Sequence, residues 1–328
     1  MIKNLAQKIL RAFGLQVTRI PRQLLTLQPP PNALIQSAKK SDYFDMLLKE
    51  PLNAELHINY AIEASISGMP YLAFAELKTA EYLGANKKQI DEYFASYWHA
   101  LPDQKSMNHN QFFRFSYLSS EIMERGGKFG LSILDVGGGE GQLASFLPEV
   151  SYCLAEPKIN GISGINLPFP DHSFDYVVSC HVLEHIPLSE RETFLNQLLS
   201  KAKHGVILLN PFHIENTHVN ERLKLIIEIT GAEWAKEHLE CTLPKIQEIR
   251  DYAADKNLQL DVKPNGTLTT SLAFVFVNYF ATKSSLYDDW KKLNTFFNEK
   301  YIDILDSPEY PNAYLIYLGW PEVKGTIA

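Results

Sequence analysis

An α/β fold with a mostly parallel sheet is the fold class that the sequence predicts. From about residue 108, short apolar runs alternate with segments of helical periodicity, which is typical of a parallel sheet covered by helices on both faces. A glycine-rich turn follows the first of these apolar runs directly. Residues 42–107 show helical periodicity alone. We therefore expect three parts: a basic segment 1–41, a helical region 42–107 and an α/β domain 108–328.

Composition favours a cytoplasmic protein. The 328 residues suffice for about two domains, and 45% of them are hydrophobic, which supplies a sizeable core. The three cysteines show no C-x-x-C spacing, and no secretory signal pattern is present, so a reducing compartment is expected. The longest apolar stretch, Leu272–Phe280, is about half of what a membrane-spanning helix requires.

The net charge of -7 conceals a basic segment. Residues 1–41 carry +7 and no acid, which leaves -14 for the remainder and argues against nucleic acid as the main partner. Within the segment, Ile2, Leu5, Ile9 and Phe13 recur at helical spacing, ahead of a proline-rich linker. Such a helix could lie on an anionic inner membrane surface as a peripheral contact, or it could pack on the protein.

A helical hairpin is predicted between Asn53 and Gln89. Its periodicity breaks at Gly68 and Pro70 and stops at Gly84. Small residues at Ala61, Gly68, Ala73 and Ala80 resemble one tetratricopeptide-type repeat. A single repeat cannot stand alone, so we expect a helical cap on the α/β domain rather than a peptide-binding solenoid.

The α/β domain divides into four clear strands and a less regular C-terminal half. The strands are predicted at Ile133–Val136, Tyr152–Ala155, Phe174–Cys180 and Val206–Asn210. A capping box of Ser189 and Glu192 predicts the start of a helix whose apolar face includes Phe194 and Leu198. Beyond residue 212 we expect helices over 220–230 and 244–256, strands over 258–262 and 313–318, and a two-helix insertion over 271–304.

The glycine turn 137–141 predicts a ligand site. Glycine lets a ligand approach the backbone N–H groups closely, because it has no Cβ. A Walker A loop is excluded, since no Gly-Lys-Ser/Thr closes the turn, and the dinucleotide fingerprint fails because Gln142 replaces its third glycine. The spacing that remains, D-x-G-x-G-x-G over Asp135, Gly137, Gly139 and Gly141, indicates S-adenosylmethionine.

Two strings in this region, "LDVGGGEG" and "LPFPDHSFDYVVSCHVLEHIP", resemble the seven-strand S-adenosylmethionine-dependent methyltransferases. The resemblance spans roughly residues 132–212. It implies a Rossmann-like, seven-stranded, mostly parallel sheet with S-adenosylmethionine as the cofactor. It also implies that Glu156, which closes the second strand, bonds the ribose hydroxyls, and a carboxylate can accept from both of them. Asn166 or Ser163 stands where the family recognises adenine. We also place Cys180 at the cofactor site.

The string "CHVLEHIP" supplies the candidate catalytic residues His181, Glu184 and His185. It follows a strand at the carboxyl edge of the sheet, where ligands bind in open α/β folds. His181 is our candidate general base, because an imidazole titrates near neutral pH. The alternative for Glu184 and His185 is that they only brace the loop through hydrogen bonds.

Our main interpretation assigns no metal to the site. Some methyltransferases similar in this region carry Glu-x-x-Glu-His and a later histidine, and bind a divalent metal. This chain has His181, Glu184 and His185 in that pattern, followed by His213 and His218. If it bound a metal, the extra histidine would favour zinc, iron or nickel over magnesium.

The segments "NPFHIENTHVNERLKL" and "EHLECTLP" resemble the substrate side of methyltransferases of bacterial surface-glycan biosynthesis. His213, His218, Glu221 and His238 would then face a sugar. We therefore expect an O-methyltransferase that acts on a hydroxyl of a small molecule, most simply a sugar or glycan precursor. The rival interpretation is a catalytically inactive protein that binds S-adenosylmethionine and docks a partner through its helical hairpin.

Overall fold

The computed structural model describes residues 42–97, 102–127, 130–215, 217–284, 286–300 and 310–321. The basic segment 1–41, with its predicted amphipathic helix and linker, lies outside these residues. Residues 40–328 form one compact unit. In the part of the chain that the structure describes, no helix has both the length and the apolarity needed to cross a membrane.

The described α-helices occur before the sheet, between its strands and in the C-terminal half. They are α1 (Asp42–Leu47), α2 (Ala54–Ile66), α3 (Pro70–Tyr82), α4 (Lys87–Tyr97), α5 (His109–Gly126), α6 (Arg191–Lys201), α7 (Val219–Thr230), α8 (Glu233–Cys241), α9 (Ile246–Asp255), α10 (Leu268–Lys283) and α11 (Tyr287–Lys300). Short 3-10 turns span Gln104–Ser106, Gln142–Phe146, Leu183–His185 and Leu188–Glu190. The predicted hairpin is confirmed as α2 and α3, and the two-helix insertion as α10 and α11.

A single sheet organises the α/β domain. Its strands are β1 (Ser132–Val136), β2 (Ser151–Ala155), β3 (Phe174–Cys180), β4 (Ala202–Asn210), β5 (Gln259–Thr267) and β6 (Pro311–Gly319), in the order β2-β1-β3-β4-β6-β5. The first four are parallel, and β6 runs antiparallel to both of its neighbours. The predicted α/β class and strand positions are confirmed, although β5 continues five residues beyond its predicted end.

The prediction of seven strands is wrong for the described residues, which form six. Between β2 and β3 there is only an isolated bridge from Ser163 to Asn166. Prolines and glycines interrupt this segment, and its backbone cannot continue a ladder. In addition, side chains occupy the outer edge of β2: the Leu154 N–H donates to Thr79 Oγ1 at 2.9 Å, and Asn160 Nδ2 donates to the Leu154 carbonyl at 2.8 Å.

The hairpin helix α3 packs beside β2 and under the glycine turn. A Cβ at Gly141 would lie 2.2 Å from the Cβ of Ala75, so the turn and the helix are in contact only because that position is glycine. Lys78 Nζ adds a hydrogen bond of 2.8 Å to the carbonyl of Pro148. The hairpin therefore covers the sheet face next to the predicted cofactor turn.

The predicted capping box is wrong. Helix α6 begins at Arg191, Ser189 lies in the preceding 3-10 turn, and no side chain caps the helix. A Ser189 that is already wound into that turn cannot adopt the extended N-cap conformation. The predicted apolar face of this helix is confirmed, since Phe194, Leu195, Leu198 and Leu199 are all buried. They pack on the face of the sheet opposite the hairpin.

Candidate functional site

The glycine turn leaves β1 in a backbone conformation that favours glycine. Gly137, Gly139 and Gly141 have φ of 73°, 56° and 71°. The Gly137 N–H donates to the Ala155 carbonyl at 2.7 Å, which joins the turn to the end of β2. A Cβ at Gly139 would have only Gln142 Oε1 near it, at 3.9 Å, so this part of the turn faces open space. The turn can therefore present its backbone to a ligand.

Asp135 lies beneath the turn and does not face the ligand space. Its carboxyl is buried, and its Oδ2 accepts a hydrogen bond of 2.6 Å from the Tyr152 hydroxyl. Burial raises the pKa of Asp135 to about 7, because the hydrogen bond from Tyr152 offsets only part of the lost hydration. The position of this predicted cofactor residue suits support of the turn more than direct contact.

Glu156 closes β2 beside the turn, as predicted. Its Oε2 accepts from the Gly139 N–H at 3.1 Å, and its Oε1 accepts from the Lys158 N–H at 3.1 Å. A carboxylate offers about four lone-pair sites, so both oxygens retain capacity for hydroxyl donors.

Asn166, like Asp135, Gly141 and Glu156, is not among the residues that line the large cavity described below. It is exposed, and its N–H donates to the Ser163 carbonyl at 3.0 Å in the bridge that follows β2. Neither Asn166 nor Ser163 lines the large cavity at the carboxyl edge of the sheet. Their predicted contact with adenine stays a prediction.

A cavity of about 1090 Å³ opens at this edge of the sheet. It brings together Gly137, Gly139, Cys180 and the candidate catalytic residues His181, Glu184 and His185. Ligand pockets commonly measure about 300 to 1,000 Å³, so this one can hold a cofactor with a second molecule beside it. Burial raises the pKa of the Cys180 thiol to about 12, so this residue lines the cavity as a neutral thiol.

His181 sits on a strained backbone at the end of β3. Its φ of 59° is unusual for a residue with a side chain, and its N–H donates to the Leu209 carbonyl at 2.8 Å. The ring places Nδ1 3.1 Å from Glu184 Oε1. Glu184 is fully buried, and its Oε2 accepts from Asn210 Nδ2 at 2.5 Å. The loop therefore holds the imidazole in one orientation and leaves Nε2 for a ligand.

The charges in this group favour an ionised Glu184 beside the neutral imidazoles of His181 and His238. Burial would raise the pKa of Glu184, but the imidazoles around it, His181 first, lower that pKa to about 2. Burial and the nearby guanidinium of Arg114 lower the pKa of His181, and burial lowers that of His238 to about 4. A neutral imidazole beside a carboxylate is the form that can accept a proton.

Two residues that the sequence did not assign to the catalytic or cofactor set also line the cavity. His238, on α8, places Nε2 3.2 Å from Nε2 of His185. Arg114, on α5, lines the same cavity, and its Nε is buried without a hydrogen-bond partner in the described part of the chain. The other residues predicted to face a sugar, His213, His218 and Glu221, do not line it. No local motif marks Arg114.

A family model described as a methyltransferase domain matches residues 85–261, which is more than half of the chain. The chain belongs to this family of S-adenosylmethionine-dependent methyltransferases. The predicted class of enzyme and its cofactor, S-adenosylmethionine, are thereby confirmed. No curated protein matches the sequence of this methyltransferase.

Solved structures similar to this methyltransferase include three examples. The YcgJ protein of Bacillus subtilis is 13% identical, with a TM-score of 0.39, over 62% of this chain and 99% of that one. A putative methyltransferase from an antibiotic biosynthesis pathway of Anabaena variabilis is 14% identical, with a TM-score of 0.42, over 66% and 99%. Magnesium protoporphyrin IX methyltransferase of Synechocystis, with bound S-adenosylhomocysteine, is 15% identical, with a TM-score of 0.39, over 71% and 100%. At these TM-scores the family assignment depends on the family model alone.

Proposed function

We propose that this methyltransferase transfers the methyl group of S-adenosylmethionine to a hydroxyl of a small molecule, a sugar or glycan precursor. The observation that carries the proposal is that the glycine turn and the His181–Glu184 pair line one cavity. In that arrangement, a cofactor held at the turn has its sulfonium end near a potential base. The cavity volume of about 1090 Å³ leaves room for the acceptor in the same space.

The cofactor would be held at both ends. The turn's backbone and Glu156 suit the ribose. The guanidinium of Arg114, whose Nε has no hydrogen-bond partner among the described residues, suits the carboxylate of the methionine moiety, since Arg binds carboxylates with paired N–H groups. Arg114 also lies close to His181 and Cys180. Its positive charge lowers the pKa of His181, and it offsets part of the rise in the pKa of Cys180 that burial causes. Cofactor binding would therefore neutralise a charge that faces the reacting groups.

Transfer is an in-line displacement. The acceptor oxygen forms a bond to the methyl carbon as the bond from that carbon to sulfur breaks, which leaves S-adenosylhomocysteine. His181 Nε2 takes the hydroxyl proton, and Glu184 holds the ring through Nδ1 and stabilises the imidazolium that forms. Positioned general bases contribute about 10² to 10⁴ in rate.

The test is methyl transfer from labelled S-adenosylmethionine to a panel of sugars, nucleotide sugars and lipid-linked sugars, with carboxylate and amine acceptors for comparison. The variant His181→Asn keeps a residue that tolerates the left-handed backbone. We expect it to lose about 10²- to 10⁴-fold in turnover while cofactor affinity is kept. The control, His213→Asn, changes an exposed histidine outside the cavity.

Two results would contradict the proposal. One is transfer only to amines or carboxylates, which excludes a hydroxyl acceptor. The other is that the wild type and both variants bind the cofactor with equal affinity and transfer no methyl group to any acceptor. This result would support the rival interpretation, a catalytically inactive interaction protein.

A further inference from the structure

We propose that Glu184, His185 and His238 form a binding site for a divalent transition metal such as Zn²⁺, open to the acceptor side of the cavity. One potential ligand atom from each residue lies within 4.8 Å of the ligand atoms of the other two. We name these three residues the Glu-His-His cluster. The inference deepens the proposed function, because a metal here would hold the acceptor oxygen.

The distances in the Glu-His-His cluster fit a shared ion. The two Nε2 atoms are 3.2 Å apart, and His238 Nε2 is 3.8 Å from Glu184 Oε1. Tetrahedral zinc, with bonds of about 2.0 to 2.1 Å to nitrogen, separates neighbouring ligand atoms by roughly 3.3 Å. Two imidazole nitrogens at 3.2 Å can also share a single proton in a direct hydrogen bond, which is the alternative that the experiment must exclude.

Glu184 supplies a second, independent observation. Its Oε1 is fully buried and lies 3.1 Å from His181 Nδ1, but no described residue donates a well-directed hydrogen bond to this atom. A buried carboxylate oxygen left in this state costs free energy, and buried charges are usually paired or bound to metals. The other oxygen, Oε2, is held by Asn210, which fixes the direction in which Oε1 points.

Outer contacts also orient the histidines as metal ligands. His185 Nδ1 lies 2.7 Å from Glu237 Oε2, at ion-pair distance but without the geometry of a hydrogen bond, and the other ring nitrogen, Nε2, lies 3.2 Å from His238 Nε2. The His238 ring packs edge-on against Trp234 at 5.2 Å between centroids. Three protein ligands beside a cavity leave a coordination position for water or an acceptor oxygen, as in catalytic zinc sites. Two imidazoles with one carboxylate favour zinc, iron, cobalt or nickel over magnesium.

The residues of the Glu-His-His cluster differ from the metal ligands that the sequence motif suggested. His213 and His218 follow the next strand, β4, yet neither belongs to the Glu-His-His cluster among the described residues. His238 joins it from α8, which places its ring against the loop that carries His185.

The test uses the full chain, purified without a histidine tag and freed of metal with a chelator. Zn²⁺ and Mg²⁺ are titrated by calorimetry without S-adenosylmethionine, and Co²⁺ is followed by its visible absorption. We expect one Zn²⁺ per chain, a Co²⁺ spectrum of four- or five-coordinate geometry, and no comparable binding of Mg²⁺. His238→Gln and Glu184→Gln should each weaken Zn²⁺ binding by about 100-fold or more. The control His218→Gln, at an exposed histidine, should leave it unchanged.

Equal Zn²⁺ affinity in the wild type and His238→Gln would overturn the inference, as would a wild type that binds neither Zn²⁺ nor Co²⁺. If Glu184→Gln fails to fold, His238→Gln decides alone. A separate titration with S-adenosylmethionine distinguishes the two proposals: cofactor binding without metal binding contradicts only the metal site, and metal binding without cofactor binding contradicts only the proposed function.

Discussion

Two of the histidine–glutamate pairs among the described residues, His57–Glu76 and His181–Glu184, differ in how completely their polar atoms are paired. In the first, His57 of α2 faces Glu76 of α3, and both side chains are fully buried. His57 donates from Nδ1 to Glu76 and from Nε2 to the Pro51 carbonyl, and Asn160 donates to the other carboxylate oxygen of Glu76 at 3.2 Å. Every polar atom of this pair has a partner.

In the second pair, His181 faces Glu184 at the cavity. The His181 side chain is 20% exposed, and Glu184 Oε1 receives no well-directed hydrogen bond from the described residues. The pKa of His57 is raised, because the charge and hydrogen bond of Glu76 outweigh the effect of burial, whereas burial and Arg114 lower the pKa of His181. His57 is therefore a protonated part of a closed ion pair, whereas His181 is a neutral imidazole that lines the cavity.

The difference favours a structural role for the first pair and is consistent with the catalytic role proposed for the second. A saturated pair has no capacity left for a ligand, while an unsaturated pair beside a cavity does. The saturated pair also serves the site indirectly. Asn160 donates a hydrogen bond to Glu76, and its Oδ1 accepts one of 3.0 Å from the backbone N–H of Glu156. The hairpin therefore supports the predicted ribose-binding residue.

The largest expected effect in stability is at Glu76. Glu76→Gln removes the charge opposite His57, and breaking one partner of a buried pair typically costs about 3 to 5 kcal/mol. Urea unfolding measures the loss. The control Glu81→Gln, on the same helix but partly exposed, should change the free energy of unfolding by less than about 0.5 kcal/mol. If the two variants unfold alike, the first pair is not structural.

A smaller effect follows from pH. Because the folded pKa of His57 lies above 6.5, its ion pair contributes fully below pH 6.5 and loses that contribution as pH rises through the folded pKa. Each pH unit of that window is worth about 1.4 kcal/mol. The free-energy difference between the wild type and His57→Gln should therefore be larger at pH 6 than at pH 9. The nearby Tyr60, whose pKa is raised to about 12, does not titrate in this range. A difference independent of pH would contradict a charged His57.

The smallest effect in stability is expected at the turn. Gly139→Ala places a Cβ in left-handed backbone, at a cost of about 1 to 2 kcal/mol, and directs it into the open space of the cavity. Gly84→Ala is the matched control, since Gly84 also has positive φ and open space but ends α3 away from the cavity. Both should lose similar stability. Only Gly139→Ala should weaken cofactor binding, by about tenfold or more. Equal cofactor affinities in the two variants would show that the turn does not contact the cofactor.

Local pattern predicted much of the fold and the part of the site that is continuous in sequence. The first four strands, the hairpin and the turn follow from apolar periodicity and glycine spacing, which are properties of neighbouring residues. The prediction of a seventh strand was wrong because Thr79 and Asn160 form hydrogen bonds with the edge of β2. These are tertiary contacts, which the local sequence pattern does not show. Arg114 and the pairing of His238 with His185 could not be predicted from the sequence for the same reason. The two histidines are 53 residues apart in the chain, and only the packing of α8 brings them together.

Cofactor binding at the glycine turn is tested by a calorimetric titration of the purified protein with S-adenosylmethionine, S-adenosylhomocysteine and NAD. We expect micromolar binding of the first two at one site per chain, and no binding of NAD. Binding of NAD, or no binding of either S-adenosyl compound, would contradict this expectation.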